Sequence, residues 1–232
     1  MASTRMLTLA CALAVALVAA TANAKTVAIA DVGARSEKGL DVFEEAVKAA
    51  GHDVRRITGP SRTLENESAY EGADVVILTG GWNDSRFPSV AACRQLVRFA
   101  ARGGGVLLGG FRGGAVRTGG FAAFPDVAQV VNRCNSPWLR RVGTSPLAAA
   151  LGESPVLFGG YDHMVVRPGR RGTVFARCGD DSVGAFGPCG LGRVVVFGVF
   201  LSVPQDNPGV DRNKAVYRAV IPFRGLYFVD AY

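Results

Sequence analysis

Hydrophobic and polar positions along the chain change rhythm three times. Residues 6–20 form an apolar run, interrupted only by Thr8, behind a short basic start that ends at Arg5. From residue 26 to about 116, short apolar runs alternate with segments whose apolar residues recur at helical spacing. Residues 26–30 and 52–57 predict strands. Between them, Leu40, Val42, Phe43, Ala46, Val47 and Ala50 predict a helix over 40–50, stopped by Gly51. A polar stretch over 58–72 carries a turn or helix at 64–70. Residues 74–78 are the most apolar strand. A helix beginning at Pro88 and Ser89 follows, with Val90, Cys93, Leu96, Val97 and Ala100 on one face, and it ends in Gly103-Gly104-Gly105 before a fourth strand at 106–108. Strands alternating with helical periods imply a parallel sheet with helices on both faces.

The rest of the chain loses that alternation. Short helical pieces are predicted over 124–131 and 146–151. Strands are predicted over 156–158, 164–167, 173–177, 183–186 and 193–199, separated by glycine and proline turns. Residues 211–219 read as a helix with Asp211 as N-cap, and the apolar, aromatic tail 223–232 is expected to dock on the body. The fold class expected is therefore α/β: a flavodoxin-like, doubly wound, mostly parallel sheet with a β-rich C-terminal extension.

The first apolar run alters the cellular setting. It is shorter than the roughly 18 apolar residues that span a bilayer. It also exits through Thr21-Ala22-Asn23-Ala24, with small residues where a signal peptidase needs them. Residues 1–24 are thus expected to be a cleaved signal peptide, cut after Ala24. Residues 25–232 would form a single domain that is secreted or periplasmic and has no membrane attachment after cleavage. Cys93, Cys134, Cys178 and Cys189 remain after that cut, and an even count in an exported chain favours disulfides. Four cysteines allow three connectivities. The hairpin-like stretch between Cys178 and Cys189 favours that pair, with Cys93–Cys134 as the second. No CxxC pair exists and the only histidines are His52 and His163, so no metal site is expected.

With 49% hydrophobic and 19% charged residues the chain is a well-cored globular protein, not a disordered one. Its formal charge of +7 is scattered over pairs such as Arg55-Arg56, Arg140-Arg141 and Arg170-Arg171. A nucleic-acid binder concentrates such charge on one face with aromatics interleaved. A solvated basic surface is expected instead, with an anionic ligand such as a glycan acid as the alternative.

Ligands of open α/β sheets bind beyond the carboxyl ends of the strands. Asp31, the segment Gly80-Gly81-Trp82-Asn83-Asp84, and Gly109 to Gly114 with Phe111 and Arg112 all follow such ends. Glycines let backbone N–H groups approach a ligand. An indole beside amide and carboxylate groups suits a sugar or a peptide, although Trp82 would equally serve as packing under the next helix. Arg112 offers a fork to a carboxylate. No nucleotide motif is present, so no cofactor is expected.

The pattern Asp74-Val75-Val76-Ile77-Leu78-Thr79-Gly80-Gly81, a helix, and then Gly103-Gly104-Gly105-Val106-Leu107-Leu108-Gly109 resembles the class I glutamine amidotransferase-like superfamily, including its ThuA-like and biotin-protein-ligase N-terminal-like branches. The resemblance covers about residues 26–116, with a weaker echo at residues 192–198. It implies a nucleophile elbow, Gly-X-Cys-X-Gly, at Gly109-Gly110-Phe111-Arg112-Gly113, where Phe111 stands at the cysteine position. The family's late His-X-Glu is also absent, because Met164-Val165 follow His163. Glutaminase chemistry needs the thiolate and its histidine base. The expectation is thus a non-catalytic exported domain that binds a small polar or anionic ligand, a carbohydrate among the candidates. Two alternatives stand beside it. One is a ThuA-like hydrolase or sugar-modifying enzyme using His163 with a carboxylate; Asp162 is poorly placed for that, since neighbours on a strand point to opposite faces. The other is a structural or assembly protein with the aromatic tail as its interface.

Overall fold

The computed structural model describes residues 24–32, 40–78, 88–109, 126–129, 138–151, 156–157 and 163–198. The parallel half follows the alternation of the sequence: β1 (Thr26–Val32), α1 (Leu40–Ala49), β2 (Asp53–Gly59), β3 (Val75–Leu78), α2 (Val90–Ala101) and β4 (Gly105–Gly109). The polar stretch between β2 and β3 holds two short 3-10 helices, Ser61–Glu65 and Glu67–Tyr70. Helix α2 starts where the Ser89 side chain accepts the Ala92 N–H at 3.2 Å. It buries Ala92, Cys93, Leu96, Phe99 and Ala100 against the sheet.

The second half adds β5 (Asp126–Gln129), β6 (Trp138–Arg141), α3 (Pro146–Ala150), β7 (Val156–Leu157), β8 (Met164–Arg167), β9 (Thr173–Cys178), β10 (Asp181–Cys189) and β11 (Gly192–Phe197). Nine strands form one sheet in the order β2-β1-β3-β4-β11-β10-β9-β6-β7, and β5 and β8 form a separate ribbon. From β2 to β11 every pairing is parallel. From β11 to β7 every pairing is antiparallel. The fold is therefore flavodoxin-like with a strand-rich extension, and β11 supplies the fifth parallel strand.

The parallel strands are apolar on both faces because both faces are covered. Val76, Leu78, Val106, Leu108, Val194 and Val196 join α2 in one core. Val75, Ile77, Leu107, Val195 and Phe197 join α1 and α3 in the other. The ribbon closes the first core with Met164 and Val166. In the second, the Phe175 ring stacks on Phe197 with centroids 5.6 Å apart.

Three expectations need correction. The helix expected over 124–131 is replaced by β5, paired antiparallel with β8; periodicity alone does not separate a short apolar run in a strand from one in a helix. The strand β6 has no counterpart in the sequence reading, since only Leu139 of its four residues is fully buried. The cysteine pairings also fail, because Cys93 and Cys189 both remain thiols. Cys178 faces Asp181 across a two-residue turn, whereas Cys189 lies at the far end of β10 opposite Gly192. Eight residues of strand separate those ends by about 26 Å, and a disulfide needs Cα atoms within about 7 Å. Cys178 is nevertheless disulfide-bonded, to neither of those two thiols. Cys134, the signal segment 1–23, the predicted helix 211–219 and the tail 223–232 lie outside the described residues.

Candidate functional site at the carboxyl edge of the sheet

The strand order 2-1-3-4, continued by β11, reverses direction between β1 and β3. Such a reversal opens a crevice beyond the carboxyl ends of the strands. Asp31 is the penultimate residue of β1, in register with Thr58 of β2. β3 ends at Leu78 and β4 at Gly109. The residues expected to bind ligand after them, Gly80, Gly81, Trp82, Asn83, Asp84, Phe111 and Arg112, lie outside the described residues, as does the side chain of Asp31.

His163 is described, and it sits at this same edge. Gly184 of β10 pairs with Phe197, the last residue of β11, so the start of β10 runs past the end of β11. The Gly198 N–H donates to the Val183 carbonyl at 2.6 Å, and the Met164 N–H donates to the Gly198 carbonyl at 2.7 Å. These two bonds hold the beginning of β8, and with it His163, against the carboxyl end of β11. The approach depends on glycine, since a Cβ on residue 198 would lie 2.1 Å from the Met164 carbonyl oxygen.

The His163 ring is buried, with 1% of the residue exposed. Its Nε2 lies 2.8 Å from Oδ2 of Asp181, whose side chain is 44% exposed. The carboxylate thus reaches from the buried ring towards solvent. A carboxylate only accepts, so Nε2 is the donor in this hydrogen bond. Nδ1 is buried and has no hydrogen-bond partner among the described residues. Leaving a buried polar atom unsatisfied costs about 1–3 kcal/mol, and such exceptions concentrate at sites of strain or chemistry. A base held by a carboxylate on one nitrogen, with its other nitrogen uncommitted, is equipped to accept a proton or a ligand hydrogen bond.

The sequence singles out His163 but not its partner. Asp162 lies outside the described residues, and the carboxylate is Asp181, eighteen residues on. The local part of that arrangement was legible: Gly179-Asp180 between two apolar runs is a hairpin signal that sets Asp181 opposite Cys178. The approach of β8 to that hairpin is tertiary and leaves no local trace. His52 is half-buried at the opposite, amino edge, just before β2. Burial pushes its pKa down, against the pull of Asp53 and Asp74. Among the described residues no cluster of three or more metal-type ligands forms.

No family model matches the chain, and no curated protein matches it in sequence. Solved structures do match in fold. A glutamine amidotransferase from Thermotoga maritima aligns with a TM-score of 0.60 at 13% identity, over 90% of this chain and 100% of its own. A ThuA-like protein from Bacteroides uniformis aligns with a TM-score of 0.50 at 10% identity, over 88% of this chain and 93% of its own. An exo-β-1,4-mannosidase from an Opitutaceae bacterium aligns with a TM-score of 0.54 at 15% identity, over 85% of this chain but only 35% of its own. The chain therefore shares its fold with glutamine amidotransferases and ThuA-like proteins, at low sequence identity.

Proposed function

We propose that this chain is an exported amidotransferase-like domain that binds a small polar ligand, a carbohydrate in the first instance, at the carboxyl edge of its sheet and has no glutaminase activity. The observation that carries the reading is the buried His163, tied to Asp181 at that edge with its second nitrogen unsatisfied. Phe111 at the position of the family's nucleophile argues against acyl transfer from glutamine, because a phenyl ring has no lone pair with which to attack a carbonyl. The fold shared with part of a mannosidase adds support for a sugar.

Export is supported by the disulfide at Cys178, a bond typical of oxidising compartments. It also fits the start of β1. The Lys25 carbonyl already accepts the Asp53 N–H at 2.9 Å, while Ala24 is exposed. A cut between them would leave the sheet intact. Intact-mass and N-terminal analysis of protein recovered from the periplasm or medium should find Lys25 first; a mature chain that keeps residues 1–24 removes this part of the reading.

Binding is tested by thermal shift against neutral and acidic sugars, short peptides and small carboxylates. A neutral sugar should raise Tm, and Trp82→Ala or Arg112→Ala should abolish the rise. Unaltered binding in both variants places the site elsewhere. The same His163–Asp181 pair favours a second reading, a ThuA-like hydrolase or sugar-modifying enzyme with His163 as general base and Asp181 as the group that orients it. Turnover that survives in both His163→Ala and Asp181→Asn ends that reading.

A further inference from the structure

A second polar surface lies on the antiparallel extension, where the end of β9 and the start of β6 neighbour the start of β10. Arg140 of β6 and Arg177 of β9 are direct register partners. Both are exposed, and neither has an ion-pair partner among the described residues. Their neighbours in the same ladder fix the direction in which they point. Leu139 faces Cys178, Arg141 faces Ala176, and Leu139, Cys178 and Ala176 all belong to the core shared with Phe175 and Phe197. Side chains alternate along a strand, so Arg140 and Arg177 emerge together on the other face. That is the face on which the β5–β8 ribbon packs, since Met164 and Val166 join Ala185 in the opposite core. Trp138, two residues before Arg140, shares this face and is 44% exposed. On the next strand, Ser182 stands in register with Arg177.

Directly opposed residues of an antiparallel pair have Cβ atoms about 4.5–5.5 Å apart, and like charges there repel. The fold nevertheless sets two exposed arginines directly opposite each other, with exposed Trp138 two residues along the same strand. An oxyanion bridging both forks would turn that repulsion into two charge-assisted contacts. The indole face would carry a sugar ring. We infer that Arg140, Arg177 and Trp138 form a binding site for an acidic carbohydrate, with the carboxylate of a uronic acid between the arginines and its pyranose ring on Trp138. Arg177 lies one residue from Cys178, the register partner of Asp181, but variants of Arg140 and Arg177 leave Trp82, Arg112 and His163 untouched, so the two readings can be told apart.

The test uses the full-length mature protein, titrated with a galacturonic acid trisaccharide and with its uncharged galactose counterpart while tryptophan fluorescence is followed. The acidic trisaccharide should bind at least tenfold more tightly than the neutral one, and added salt should weaken it. Arg140→Gln and Arg177→Gln should each cost about tenfold, and the double variant should not distinguish the two sugars. Because both arginines are exposed, these variants should fold. Each should also raise Tm at low ionic strength by relieving the repulsion, a gain that 1 M salt removes. Equal affinity for the two sugars, or full binding by the double variant, overturns the inference. So does binding to phosphatidylglycerol vesicles without binding to the acidic trisaccharide.

Discussion

The parallel and antiparallel halves of this sheet are built from opposite economies of burial. In β3 and β4 every residue is buried, and such strands have no side chain to spare for chemistry within their length. Their functional capacity is confined to their ends. In β6 and β9 buried and exposed positions mix along each strand, and in β10 buried and half-buried ones do, so charged groups emerge from the sheet itself. The extension also threads back to the carboxyl edge: Asp181 begins β10 and His163 precedes β8. The later, less regular half of the chain thus supplies the described polar pair to the same edge at which the parallel strands end.

The largest effect should come from the seam between the halves. At the start of β11, Gly192 sits under the end of α2, where a Cβ would lie 2.1 Å from the Gly104 carbonyl oxygen and 2.4 Å from that of Ala100. Both obstacles are backbone, so neither can rotate away. Gly192→Ala should cost about 3 kcal/mol, the upper end of ordinary overpacking, measured by denaturant unfolding. If the substitution is neutral, the two halves are not locked at this point. Gly51→Ala is the control for space: its Cβ would meet nothing within 4 Å, although its φ of 83° still penalises alanine.

A smaller effect is expected at the polar pair, about 1–2 kcal/mol for Asp181→Asn, because a partly exposed carboxylate gains less from a partner than a buried one. The amide offers an acceptor oxygen as well as donors, so Nε2–H keeps a neutral partner in that variant. His163→Leu removes both the bond and the unsatisfied Nδ1, and should cost less than His163→Ala, which leaves a cavity as well. A role confined to packing predicts no change in ligand binding for Asp181→Asn. A role in recognition predicts weaker binding while Tm shifts only slightly.

The thiols separate the halves by chemistry. Cys93 and Cys189 are buried on either side of the α2–β10 contact, and burial pushes the Cys189 pKa up. Alkylation of native protein should label neither. Denaturation without reductant should expose both and leave Cys178 blocked, as read by peptide mass. Labelling of Cys178 under those conditions would remove the disulfide. The expectation that Cys178 pairs with Cys189 fails for a reason that was partly legible: a hairpin brings together residues near its turn, and Cys189 lies at its open end.

What the sequence disclosed follows the same division. The strands at 26–30, 74–78 and 106–108 and the helix after Ser89 were legible because two-sided burial and amphipathic periodicity both leave strong local patterns. The antiparallel strands at 164–167 and 173–177 were legible because β-branched residues lie between glycine and proline turns. The helix expected over 124–131 gives way to a strand at 126–129 because so short an apolar run does not distinguish the two periods. Strand β6 was missed because Trp138, Arg140 and Arg141 look like a polar link until β9 pairs with them. His163 could be singled out as a rare residue type, but Asp181 becomes its partner only when β8 docks.

The smallest expected effect returns to the regular half and isolates a single hydroxyl. Tyr70 is 1% exposed at the end of the second 3-10 helix, edge-on to Phe99 with ring centroids 5.4 Å apart. Its hydroxyl has no hydrogen-bond partner among the described residues. Burial pushes its pKa from 10.0 to about 12, slightly opposed by Arg98. Tyr70→Phe keeps the ring contact and removes the stranded oxygen, so at neutral pH it should be neutral or stabilising by less than about 1 kcal/mol. Alkaline pH sharpens the test. The unfolded chain ionises this phenol near pH 10 and the folded chain only near 12. The folded state therefore holds the extra proton between those values, and its stability falls as pH rises through that window. Wild type should lose stability between pH 10 and 12 that Tyr70→Phe retains. Parallel unfolding curves for the two proteins across that window would mean that the hydroxyl finds a partner or reaches water.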